Sequence, residues 1–154
     1  MEFTNKVVAI TGGSDGIGKA LVEILLQKGA KVATCGRNHD KLYSLQQQFA
    51  GASLHTFVAD VSNEDDCKRF ISSTVTAFGG IDILINNAGT GTFGGFLDLD
   101  PETWEQQVKV NLFGVYYVTR AVLPDMIEAK AGDIINISST WLRANWPTIG
   151  RSWT

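Results

Sequence analysis

With 154 residues, the chain is long enough for one domain whose buried core outweighs the conformational entropy lost on folding. Hydrophobic residues make up 44% and charged residues 19%, and the net charge of -3 provides no basic field to draw nucleic-acid phosphates. No apolar run approaches the roughly 20 residues of a membrane span, and the opening MEFTNKVVAITGG leads into a strand instead of a cleavable signal, so we expect a cytoplasmic protein with neither nucleic-acid nor membrane partners.

Along the chain, β-branched runs at 7–11, 31–35, 54–59, 82–86 and 133–138 alternate with helical patterns near 16–28, 39–49, 63–78 and 101–130. Parallel strands need covering helices on both faces and right-handed crossovers, so this βαβ series predicts an α/β, doubly wound parallel sheet and not a bundle or sandwich. The strands read as apolar runs without polar alternation, as in sheets buried on both faces. In the first helix, Ile17, Leu21, Ile24, Leu25 and Lys28 define one stripe before Gly29 ends the helix. Cys35 in a strand and Cys67 in a helix form neither a metal-ligand cluster nor a disulfide scaffold, so free thiols and no metal are expected. Asp100 and Pro101 suit the N-cap and first position of the longest helix.

The first strand runs into Gly12, Gly16 and Gly18, which open a helix. Gly12 permits the tight turn, Gly16 lets backbone approach a phosphate, and Gly18 allows close helix packing. Unpaired N–H groups at that helix start, with the helix dipole, favour an anionic pyrophosphate. Ser14, Asp15 and Ile17 of the same turn join the candidate site. The alternative is a purely structural strand-to-helix turn.

The spacing Thr11-Gly12-x-x-x-Gly16-x-Gly18, the tetrad Asn86-Asn87-Ala88-Gly89 after the fourth strand, Asp60 after the third, Asn111 in VNLFG and the run IINISS at the fifth carry a specific resemblance. From about Lys6 to Ser139 the chain resembles the amino-terminal part of the short-chain dehydrogenase/reductases. That resemblance implies a Rossmann-like fold and carbonyl reduction or secondary-alcohol oxidation, an oxoacyl-reductase-like activity included. At the end of the second strand, NAD-preferring members carry an acidic residue; here Gly36 and Arg37 stand there. A guanidinium makes charge-assisted bonds to a 2′-phosphate that a carboxylate would repel, so NADP(H) is expected over NAD(H). A solvated arginine starting the next turn is the alternative. Asn38 could add a polar contact, whereas His39 and Lys41 read as surface residues. The resemblance places Asp60 and Val61 at the adenine, against a capping or turn role for Asp60. It sets Asn87, Ala88 and Gly89 along the cofactor, with Asn87 tying neighbouring strands together.

For catalysis, the resemblance assigns Asn111 to a helix kink holding a water of a proton relay, and Ser139 to polarising the substrate carbonyl. Local hydrogen bonding is the alternative for both. The family's proton-donating tyrosine and the lysine four residues after it are not found, because no Tyr or Lys follows Ser139. Losing a positioned general acid costs about 10²–10⁴-fold, so turnover by this chain is not expected. Tyr116 and Tyr117 point to different helix faces and read as packing residues.

The stretch TWLRANWPTIGRSWT, with Trp141, Trp146 and Trp153, has neither helical nor strand period. We therefore divide the chain into an incomplete dinucleotide-binding domain at 1–140 and an atypical tail at 141–154, a truncated or altered end. The apolar 101–130 helix is expected to join a second copy. Three readings stay open: the cofactor-binding part of an NADP-dependent oxidoreductase acting on a small carbonyl or alcohol, a non-catalytic NADP(H)-binding or interaction module, and a shifted-frame product.

Overall fold

A computed structural model describes residues 2–92 and 96–138. Strands β1 (Val7–Thr11), β2 (Lys31–Gly36), β3 (Leu54–Val58), β4 (Ile83–Asn86) and β5 (Asp133–Asn136) form one sheet in the order β3-β2-β1-β4-β5, parallel at every pairing. Helices α1 (Gly16–Gln27), α2 (His39–Gln48), α3 (Glu64–Phe78), α4 (Pro101–Val108) and α5 (Gly114–Ala129) cover it. The doubly wound architecture expected from the βαβ series is present, and it is Rossmann-like as the resemblance implies.

Strand side chains alternate between two apolar layers, as the pleat requires. Val7, Ala9, Ala33 and Leu84 join Phe70 and Ile71 of α3 with Val118 and Val122 of α5. Val8, Ile10, Val32, Ile83 and Ile85 face the other way, onto Val22 and Leu25 of α1 and Leu45 of α2. The central strands β1 and β4 are buried along their whole length, which explains their uninterrupted apolar sequence. Edge position changes this for β3, which is half-buried, and for β5, which is mostly exposed.

Side-chain caps set the helix starts. Asn38, Asn63 and Asp100 each accept a backbone N–H from the first turn of α2, α3 and α4, and Pro101 begins α4 where its missing N–H does no harm. At the base of the sheet Lys6 Nζ lies 2.7 Å from Asp82 Oδ1, while Asp82 Oδ2 accepts the Val7 N–H at 2.8 Å. These bonds join the starts of β1 and β4.

Two expectations need correction. The buried stripe of α1 is Gly18, Val22 and Leu25; Ile17 and Ile24 are 66% and 47% exposed, Lys28 is exposed, and Leu21 is only half-buried. Gly18 has to face the sheet, and that contact turns the helix away from the phase that its larger side chains suggest. The 101–130 segment is also not one continuous α-helix, because a π-helical turn at Lys109–Phe113 separates α4 from α5 and the latter ends at Ala129. The added residue rephases the helix so that Val110 and Gly114 both face inward, Gly114 so closely that a Cβ there would lie 3.0 Å from Val61 Cγ2.

Phe70 is fully buried between α3 and the sheet. Phe70→Ala should lower stability by about 3–5 kcal/mol in urea denaturation followed by far-UV circular dichroism. A loss under about 1 kcal/mol would contradict its place in the core.

Candidate functional site

From β3 the chain crosses back over β2 and β1 to form β4 on the far side of β1, so the carboxyl ends of β1 and β4 bound a crevice at the point where strand order reverses. A cleft of about 600 Å³ opens there. Its walls come from all four strand ends: Gly12, Ser14, Asp15, Gly16, Ile17 and Gly18 after β1; Arg37 and Asn38 after β2; Asp60 and Val61 after β3; Asn87, Ala88 and Gly89 after β4. Every cofactor-site residue expected from the sequence thus lines one cavity.

The glycine turn is built by close approach. Gly12 has φ 73°, and a Cβ on it would lie 2.9 Å from Ala88 Cα. A Cβ on Gly18 would lie 2.2 Å from the Gly12 carbonyl oxygen and 2.5 Å from Asn87 Nδ2, so α1 can meet the end of β1 only through glycine. Gly16 differs: a Cβ there would meet nothing within 4 Å. That open space lies before a helix N-terminus, where first-turn N–H groups lack intrahelical carbonyls. Gly16 itself donates to Asp15 Oδ1 at 2.8 Å.

Polar bonds hold the turn in place. Thr11 Oγ1 accepts the N–H groups of Asn87 and Ala88, both at 3.0 Å, and Asn87 Nδ2 donates to the carbonyls of Thr11 and Gly12 at 3.0 and 3.2 Å. Buried Thr34 donates to the Ile10 carbonyl at 2.8 Å and accepts the Gly13 N–H at 3.0 Å. Gly13 went unnoticed in the sequence. A Cβ there would lie 2.1 Å from Thr34 Oγ1, and the pair Gly12-Gly13 was its only available signal.

Charge is distributed unevenly round the cleft. Arg37 is exposed, and among the described residues no carboxylate pairs with it. Asn38 uses its Oδ1 to cap α2 through the Lys41 N–H at 2.9 Å. Lys41 is exposed, as its reading as a surface residue expects, and it also lines the cleft and pairs with Asp15. The Lys41 ammonium, then the Gly16 N–H, hold the Asp15 carboxyl below its usual range, so Asp15 is an anion at neutral pH. Asp60 takes the turn geometry that its sequence allowed: its Oδ1 accepts the Ser62 N–H at 2.9 Å and the Ser62 hydroxyl at 2.7 Å, while its own N–H donates to Asp66 Oδ2 at 2.9 Å. Cys35 and Val110 complete the apolar lining, and burial pushes the Cys35 thiol up to about 12, which leaves it unreactive.

Asn111 lies in the π-helical turn, and its amide is satisfied outside its own helix. Nδ2 donates to the Thr90 carbonyl and Oδ1 accepts the Thr90 N–H, both at 2.8 Å. The side chain braces the segment that follows Gly89. Ser139 and the tail 141–154 lie outside the described residues. The donors and open space at Gly16, the free guanidinium of Arg37 and the cleft volume fit a dinucleotide phosphate ligand. No described group of His, Cys, Asp and Glu could hold a metal ion.

Comparison with known proteins agrees with this geometry. A family model described as short chain dehydrogenase matches residues 6–150. An uncharacterized oxidoreductase of Staphylococcus aureus (strain N315) is 37% identical over 137 residues, 89% of this chain and 59% of its own length. The chain therefore spans about three fifths of the curated relatives that it matches. Among solved structures, a short-chain type dehydrogenase/reductase from Mycobacterium ulcerans superposes with a TM-score of 0.84 at 29% identity, over 90% of this chain and 53% of that one. An actinorhodin polyketide ketoreductase with NADPH gives 0.83 at 32% identity, over 88% and 53%.

The two glycines make opposite predictions. Gly16→Val should keep the fold, with a strain of about 1–2 kcal/mol from its φ of 52°, yet lose dinucleotide binding in a fluorescence titration. Gly18→Ala should lower the thermal midpoint further, because the new methyl meets backbone. Unaltered affinity in a folded Gly16→Val chain would remove the glycine turn from the site.

Proposed function

Because the chain belongs to the short chain dehydrogenase family, we propose that its cleft binds NADP(H) in preference to NAD(H), in the service of carbonyl reduction or secondary-alcohol oxidation. The observation that carries this reading is the pair Gly36-Arg37 at the end of β2: no carboxylate stands there, and an unpaired guanidinium faces the cleft. The ketoreductase neighbour with NADPH supports it. When bound, the nicotinamide dinucleotide supplies or accepts the hydride. Of the chain's own groups, the start of α1 holds the pyrophosphate through its free N–H groups and dipole, Arg37 selects the 2′-phosphate, and Asp60 and Val61 sit at the adenine edge. Asn87, Ala88 and Gly89 form the floor toward the reacting end, and Ser139 polarises a small carbonyl, oxoacyl groups included.

A binding role for the described residues is the second element of the proposal. Both polar atoms of the Asn111 amide are committed to Thr90, so among the described residues its role is to position the segment after Gly89. The described residues then act as the NADP(H)-binding part, in a cytoplasmic setting that keeps Cys35 and Cys67 as thiols. No helix among the described residues is long and apolar enough to cross a membrane.

Titrating the chain with NADPH tests both elements. Saturable binding is expected, and absence of binding would overturn the cleft assignment. Arg37→Ala should weaken NADPH binding about 10- to 100-fold and leave NADH nearly unchanged, whereas equal losses would sink the NADP preference.

An oligomer through the 101–130 region also belongs to this proposal. Leu112, Tyr116, Leu123 and Ile127 form an exposed stripe at spacings of four, seven and four, with Phe113 beside it. A second copy of the same helix would cover it. Light scattering should show concentration-dependent association that Leu112→Glu with Ile127→Glu abolishes; a monomer at millimolar concentration would refute the contact.

A further inference from the structure

We propose that Lys41 is a second cationic determinant of cofactor choice, neutralising Asp15 at the mouth of the cleft in the free protein and turning to the adenosine 2′-phosphate when NADP(H) binds. The inference rests on the NADP reading above and deepens it.

Asp15 is badly placed for a site that takes a doubly phosphorylated adenosine. It caps α1, its side chain is 71% exposed, and its carboxylate lines the same cavity as Arg37. An unscreened carboxylate there would repel phosphate in the cleft, and most strongly the doubly charged 2′-phosphate. Lys41 Nζ removes that repulsion by pairing with Asp15 Oδ2, reaching across from the first turn of α2.

The position of Lys41 is not explained by the helix that carries it. A cation in the first turn opposes the macrodipole and weakens α2, so an advantage must come from outside the helix. Nor does stability supply that advantage: both partners of the Asp15 pair are more than half exposed, and exposed pairs of this kind contribute little to folding. What the pair does provide is a half-exposed ammonium in the cleft that Arg37 also lines. Asn38 fixes the start of α2 through the Lys41 N–H, so the backbones of Arg37 and Lys41 keep a constant relation while the four-carbon Lys41 stem remains free to turn. Lys41 lines both the main cleft and the adjoining depression of about 390 Å³ that it shares with Lys19 and Asp40. A 2′-phosphate held at Arg37 would lie in the cleft that Lys41 also lines. Exchanging Asp15 for that phosphate trades one exposed anion for a doubly charged one, and the trade is open only to the phosphorylated cofactor.

Fluorescence titrations with NADPH and NADH on wild-type, Lys41→Gln, Lys41→Arg and Asp15→Asn with Lys41→Gln chains test the exchange, with thermal unfolding run on each. Lys41→Gln should weaken NADPH binding about tenfold and NADH less than about twofold, with an unchanged unfolding midpoint. Lys41→Arg should retain the preference, and Asp15→Asn in the Lys41→Gln chain should recover part of the lost NADPH affinity because the uncovered anion is gone. Equal loss for both cofactors, or no loss for either, would overturn the role of Lys41 while leaving Arg37 and the NADP reading intact. A wild-type chain that favours NADH would overturn both.

Discussion

The contact on which the rest of this structure depends is the approach of α1 to the end of β1, where Gly18 lies against the Gly12 carbonyl with no room for a side-chain carbon. That approach sets the phase of α1, burying Val22 and Leu25 while Ile17 and Ile24 stay exposed. It also brings the helix N-terminus to the rim of the sheet, where its unpaired N–H groups face the crevice. Asn87, reaching from the end of β4, clamps the same turn from the other side through the carbonyls of Thr11 and Gly12. The turn thus divides its glycines: Gly12 and Gly18 are held by close packing, while Gly16 keeps open space before the helix.

Around that turn the cleft is assembled from loops that are distant in sequence and adjacent only because the strand order reverses between β3 and β4. Each loop supplies a different kind of group. The β1 end offers backbone donors, the β2 end a free guanidinium, the β3 end a carboxylate committed to its own turn, and the β4 end small residues that let a ligand lie close. Asn111 adds a brace from the π-helical turn by holding both polar groups of Thr90. In this chain it acts as a positioning residue for the segment after Gly89.

Most of the fold was legible because its signals are local. Strand composition, the glycine spacing and the caps at Asp100 and Pro101 each report the state of their own few residues, and they agree with one another. The resemblance to a known family added Asp60, Asn87 and Asn111, whose positions no periodicity would have singled out. Lys41 escaped notice although it carried a signal, since a cation in the first turn of a helix runs against the dipole and asks for an external partner. Gly13 escaped because the residue that needs its bare backbone, Thr34, stands on another strand.

By itself the sequence determined that parallel strands alternate with helices, that a glycine turn opens the first helix, and that an arginine follows the second strand. These follow from side-chain size, backbone freedom and charge within a few residues. Only the tertiary structure decided which face of α1 is buried, where the long helix takes its π-helical turn, and that Lys41 meets Asp15 across the cleft. Those outcomes depend on contacts between elements, and a steric limit at one glycine can outweigh the hydrophobic preference of a whole helical stripe because overlap of atoms costs far more than exposure of a methyl group.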